Sequence, residues 1–256
     1  MLNYIKAEMY KVTHRKYTYG MVIFCSLFMI LCNVIFKRVC IMTGKQLVAA
    51  DMICYSIDGF STVYLFTMII ADIIFSDEYK HHTMKNAVSM GIERYEVYFG
   101  KLVAEIITAI VFYLVIMGVL VISSVLILGA DIGVNGFSIG QAVGLLLSKS
   151  LAAFPIWIAG ISLANFMAFF FKNNTVFAFT FVGFLILPSK LIQFISIFKP
   201  WVANLNKLLP SYYLSAITKN GDMSTSLIAN SYIAGIIYLA VLALAGILIF
   251  QKREIK

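Results

Sequence analysis

Charge is scarce in this sequence: Asp, Glu, Lys and Arg make up 12% of its 256 residues, against 61% hydrophobic. So little polar material cannot cover a 28.6 kDa globule, and a mean hydropathy of +0.92 excludes a soluble domain. Histidine is confined to His14, His81 and His82, so no convincing Ser/His/Asp or Cys/His set can be assembled, and no CxxC or Cys/His spacing suggests a metal site. No Gly-x-x-x-x-Gly-Lys-Ser/Thr loop occurs either, which leaves ATP and magnesium without a holder in this chain. These absences predict a protein that is not an enzyme and carries no cofactor of its own.

What the chain does have is apolar length. Six runs stand out: Tyr17 to Phe36, Phe60 to Phe75, Leu102 to Leu128, Ala142 to Phe171, Thr175 to Leu187 with some extension, and Leu227 to Phe250. A hydrocarbon core needs roughly 20 apolar helical residues, so the expected fold is an all-α integral membrane protein with six transmembrane helices in one domain, 1–256. The first run is too long for a signal core and lacks a small-x-small cleavage site, so it reads as a retained span. With the N-terminus inside, the inner segments collect Lys6, Lys11, Arg15, Lys16, Lys80, Lys85, Arg94, Lys101, Lys172, Lys252, Arg253 and Lys256, more than half of the 20 basic residues. That bias predicts both termini in the cytoplasm and an even number of spans. It also accounts for the net charge of +8, whose counterpart is anionic lipid at the inner leaflet rather than nucleic acid.

Residues 76–101 form a charged island between two apolar runs, with Asp77, Glu78, Lys80, Lys85, Glu93, Arg94, Glu96 and Lys101. Charge on that scale in so apolar a chain calls for an aqueous or protein partner. Glu78 to Met90 has few helix breakers and ends at Gly91, a residue that tolerates positive φ. In a helix Met84, Ala87 and Val88 fall on one side, away from Lys80 and Lys85, as a small apolar knob. An ordinary charged loop accounts for the same composition. At the N-terminus, residues 1–16 place Leu2, Ile5, Met9 and Val12 at helical spacing with Lys6, Glu8, Lys11 and Arg15 on the other faces, an interfacial amphipathic helix. Residues 188–226 are too apolar for a solvated loop, and Pro200 and Pro210 cut them into pieces too short to cross. Half-penetrating helices on the outer side fit, as does an aromatic belt of Trp201, Tyr212 and Tyr213.

Taken in order, these features resemble the permease subunits of type-2 ABC exporters over nearly the whole chain. Glu78, Thr83, Lys85, Gly91 and Arg94 are similar to the family's coupling segment after the second span, although His82 stands where the family most often has glycine. Glu8 and Lys11 resemble the acidic-x-x-basic core of its elbow helix, and Leu209-Pro210-Ser211 the turn that closes its outer re-entrant element. The resemblance implies a cytoplasmic ABC ATPase, two copies per complex, that binds ATP and magnesium and docks on the coupling segment. It also implies a second permease subunit, identical or homologous, in a bacterial plasma membrane. Chains of this size look like lantibiotic-immunity and peptide-antibiotic resistance permeases, which implies an amphipathic cargo; Phe112, Tyr113, Phe166, Phe169, Phe177, Phe179 and Phe181 offer it an apolar wall. A secondary transporter, which calls for internal repeats and midplane charges, and a non-transporting scaffold or sensor-associated protein are the alternatives.

Smaller expectations attach to single residues. Lys101 and Glu105 are spaced for a local i,i+4 pair, Lys149 for snorkelling toward the outer surface, and Pro155 for a kink or a packing contact in the fourth span. Cys40 and Cys54 could form an outer disulfide.

Overall fold

The computed structural model describes residues 1–44, 46–81, 89, 91–134, 136–171, 173–219 and 224–252, the side chains of 61–63, 76–81 and 174 excepted. Every regular element among them is helical. Helix α1 (Leu2–His14) buries Tyr4, Glu8 and Val12, four residues apart on one stripe, and breaks at Arg15, whose backbone is extended. Helix α2 (Lys16–Thr43) ends in a left-handed cap at Gly44 (φ 66°). Helices α3 (Ala49–Asp58), α4 (Phe60–His81), α5 (Arg94–Leu128), α6 (Ile139–Phe170) and α7 (Asn174–Phe198) follow. A 3-10 helix (Pro200–Leu208), α8 (Pro210–Lys219) and α9 (Thr225–Lys252) complete the chain.

Five of these helices, α2, α5, α6, α7 and α9, are long and apolar enough to cross a membrane, while α4 contributes a shorter apolar stretch, Tyr64–Phe75. Helix α6 is the centre of the bundle: 78% of its apolar window is buried, against 11% in α2 and 6% in α7. Its start is set by a reciprocal cap in which the Gln141 amide N–H donates to Ser138 Oγ (3.4 Å) and the Ser138 N–H to Gln141 Oε1 (2.9 Å). Its most extensive contact is with α9, and Pro155 explains the fit. Proline cannot donate to the carbonyl of Leu151; Tyr232 Oη of α9 donates to that oxygen instead (3.0 Å), and Ser231 Oγ donates to the Ala152 carbonyl (3.0 Å). A Cβ at Gly235 would lie 2.6 Å from the proline ring, so glycine is needed for the helices to approach this closely. Pro155 is therefore a docking point for α9.

Two buried clusters stack along the bundle. One, around Phe75, Tyr98, Phe169, Phe177, Phe181 and Phe250, lies at the end that carries α1; the other, around Phe60, Tyr64, Trp157, Leu214 and Ile217, lies toward α3 and α8.

Several expectations need correction. Residues 188–198, expected to open the re-entrant region, extend α7 instead, with Pro188 inside the helix. A proline there removes one backbone bond, a loss tolerated within an otherwise continuous apolar helix. The segment between the first two spans is not a loop: α2 runs on to Thr43, and α3 buries Ala49, Ala50, Ile53 and Ile57 against α5 and α6. Asp51 makes that possible, because its buried carboxylate accepts from the Val48 and Val134 N–H groups (3.0 and 3.2 Å) and ties α3 to the α5–α6 connection. Lys149 does not snorkel. It is 4% exposed and donates to the carbonyl of Thr218 (3.1 Å), at the C-terminal end of the α8 dipole. Cys40 and Cys54 are both free thiols.

Candidate functional site

The functional region is built where α1 meets the two helices that flank residues 76–101. Helix α1 lies along the start of α5: the Tyr4 ring occupies the space where Gly100 would carry a Cβ, and the N-terminal ammonium meets Glu96 Oε1 at 2.9 Å. Between these contacts Glu8, 1% exposed, accepts from Lys11 Nζ (2.7 Å) and from Lys101 Nζ (3.2 Å), itself fully buried. Burial pushes the Glu8 carboxyl up, but the Lys101 and Lys11 cations outweigh it and hold the group below its ordinary value of 4.5. Lys101 also stands 4.9 Å from the centroid of the Phe75 ring, which brings in α4.

The chain that leaves α1 continues the clamp. Arg15 donates to the Ile73 carbonyl, and Tyr17 Oη to Asp72 Oδ2 (2.5 Å), both on α4. On the other flank Arg94 Nη1 donates to the carbonyls of Phe250 and Gln251 (2.9 and 2.7 Å) and so holds the C-terminal end of α9. The described residues on either side of residues 82–88, Asp72 and Ile73 on α4 and Arg94 on α5, are thus tied to α1, the start of α2 and the end of α9. Glu8 and Lys11 of the elbow meet directly. Gly91 has φ 87°, and Glu78 lies in the last turns of α4. Thr83, Met84, Lys85, Ala87 and Val88 fall outside the described residues. The expected Lys101–Glu105 pair is replaced: Lys101 reaches Glu8 across helices, and neither oxygen of Glu105 has a hydrogen-bond partner.

The second component is a cleft of about 240 Å³ among α2, α4, α5 and α6, lined by Phe24, Phe28, Phe66, Phe112, Met117 and Trp157 among others. Phe24 and Phe28 are 65% and 48% exposed, so one wall of the cleft faces outward from the bundle. Tyr113 also lines it, but its hydroxyl is turned into a hydrogen bond with Ser150, which leaves an apolar surface. Of the aromatic residues expected to form a wall, Phe112 and Tyr113 do so; Phe169, Phe177 and Phe181 are buried in the core, Phe166 packs partly buried against it, and Phe179 is exposed on α7. Asn33, which periodicity did not single out, pins α2 above this cleft: its amide donates to Ser123 Oγ (2.7 Å) and accepts from Ser124 Oγ (3.0 Å) of α5. A lone Asn opposite a Ser-Ser pair inside apolar runs was the signal available for it.

At the other end the 3-10 helix and α8 form a cap. Pro210 is the first residue of α8, which tucks Leu214 and Ile217 among α3, α4, α6 and α9. Tyr212 and Tyr213 stack edge to face with centroids 5.5 Å apart, Tyr213 packs on the core beside α8, and Trp201 is 64% exposed.

No curated protein matches the chain. The family model for ABC-2 family transporter protein matches residues 4–189, a range that takes in the elbow, the framed segment 76–101 and every helix lining the cleft. The chain therefore belongs to the ABC-2 transporter family, as a multi-pass permease subunit that works with an ABC ATPase.

Proposed function

We propose that this permease expels an amphipathic compound, a membrane-active peptide antibiotic or a lipid-like molecule, taken laterally from the inner leaflet of a bacterial plasma membrane. The observation that carries the reading is the cleft with Phe24 and Phe28 on its outward wall: an apolar moiety can enter from the bilayer without crossing water, whereas an ion or sugar finds no polar group to replace its hydration. In this reading α4 serves as the sixth span and both termini lie in the cytoplasm. A second permease subunit, identical or homologous, covers exposed faces of the bundle, and two separately encoded ATPase subunits supply ATP and magnesium. The ATPase docks on Glu78, Thr83, Met84, Lys85, Ala87, Val88, Gly91 and Arg94. Closure of the ATPase pair pushes on this segment, and the clamp of α1 on α4 and α5 passes the motion to the helices around the cleft, a two-state change biased by ATP.

Expression with the cognate ATPase in a sensitive host, with growth measured against lantibiotics, bacitracin-like peptides and lipophilic drugs, tests the reading. Protection against at least one amphiphile is expected. ATP-dependent movement of hydrophilic ions or sugars alone would overturn it.

A further inference from the structure

The polar groups of the elbow end do not stop at the Glu8–Lys101 pair. One turn deeper in α5, Glu105 is fully buried and both of its carboxylate oxygens lack a hydrogen-bond partner. On α6, Asn165 and Ser162 are fully buried too, and the Ser162 hydroxyl makes no hydrogen bond. Tyr98, fully buried on α5, donates to the Leu242 carbonyl of α9 (3.4 Å) and interacts with both the Asn165 amide and Glu105. Among the described residues Lys101, on the same helix, acts on Glu105, and on α1 Glu8 meets both Lys11 and Lys101. From α4 the Phe75 ring covers Lys101, and Asn165 and Ser162 on α6 are neutral.

An ionised carboxylate with no donor on either oxygen, inside an apolar bundle, is not a state a protein sustains. Here a cation is within one helical turn, but it points the other way, to Glu8. Among the described residues Lys101 is placed to serve either of two carboxylates, Glu8 on α1 and Glu105 at i+4 on its own helix. We propose that Glu105 is a proton-binding site controlled by the elbow helix: it holds a proton while Glu8 engages Lys101, and releases that proton to the inner aqueous phase when α1 lifts and Lys101 turns to it. No covalent bond to carbon changes. The carboxyl O–H breaks, water takes the proton, and the carboxylate left behind gains the lysine ammonium as its partner. Each unseating of α1 then carries one proton out of the bundle and each reseating takes one back, so the opening of the clamp is sensitive to pH at a group unconnected with ATP.

Infrared difference spectroscopy on the full chain in lipid nanodiscs reads this directly through the C=O stretch of a protonated carboxyl group. At neutral pH the wild type should show such a band and Glu105→Gln should lack it. Glu8→Gln frees Lys101, and the band should disappear; Glu8→Gln combined with Lys101→Met should restore it. A merely structural Glu105 predicts a band indifferent to Glu8, and that result, or the absence of a Glu105 band in the wild type, overturns the proposal. If Glu8→Gln does not insert, the wild type and Lys101→Met decide: the band must persist to higher pH in the methionine variant, and coincident titrations overturn the proposal.

Discussion

Tyr232 Oη donates to the carbonyl of Leu151 at 3.0 Å, the one carbonyl in that turn of α6 that Pro155 leaves without its usual partner. A break in one helix has become the anchor for another. Tyr232→Phe should therefore cost about 0.5–1.5 kcal/mol, the net worth of one hydrogen bond. Gly235→Leu should cost more, because it drives a branched side chain into the proline ring; overpacking of this kind costs about 1–3 kcal/mol. Thermal unfolding of the detergent-solubilised protein should rank the two in that order.

The Glu8 pair gives a pH prediction. Its carboxyl is held below the ordinary value by Lys101 and Lys11 despite burial, so the folded state binds its proton less tightly than the unfolded chain does. The stabilisation is then fully present above the ordinary value of 4.5 and is lost as pH falls through the lowered folded value. Wild type should exceed Glu8→Gln in stability at neutral pH, but by less than the cost of an uncompensated buried charge, about 3–5 kcal/mol, because Lys101 turns to Glu105 in the variant. The gap should close only in acid. A gap that widens in acid would contradict the sign.

Much of this architecture is legible in the chain's apolar periodicity, and the failures share a cause. The five long apolar helices, the N-terminal helix α1 and the short helices that follow Pro200 all announce themselves through hydrophobic length, periodicity or proline. What escapes is the choice of partner. Lys101 and Glu105 have ideal i,i+4 spacing, yet Glu8, far away in sequence, wins because α1 folds over α5 at Gly100. Lys149 reads as a snorkelling lysine until α8 presents the Thr218 carbonyl to it. Helix α3 is hidden because ten residues with an Asp at each end look like a loop, and the N–H groups that Asp51 accepts come partly from 83 residues away. Pro188 fails as a breaker because the residues on both sides are strongly apolar.

Coupling is tested at the charged island. Charge reversal at Glu78 or Arg94, or Val88→Asp, should weaken co-purification with the ATPase and uncouple transport, since an unpaired charge buried at a protein contact costs several kcal/mol. Arg94 carries a second expectation: because it caps α9, Arg94→Glu should also lower thermal stability, whereas Val88→Asp should not. Intact assembly and transport in all three variants would refute the docking assignment.

Topology follows from the same frame. Single cysteines at Thr83 and Ser224, in a cysteine-free background, should react with an impermeant thiol reagent from opposite sides of the membrane. Reaction from one side would rule out three crossings between the two positions, and with them the six-span arrangement.

If an amphipathic cargo uses the cleft among α2, α4, α5 and α6, a charge placed in that cleft must block its passage. Phe112→Glu puts an unpaired carboxylate on the apolar wall without touching α1 or the charged island. In proteoliposomes containing the permease and its ATPase, this variant should retain its complement of ATPase and its basal ATP hydrolysis but lose ATP-dependent expulsion of a fluorescent lantibiotic by at least about tenfold. Wild-type rates of peptide expulsion by the Phe112→Glu complex would contradict it.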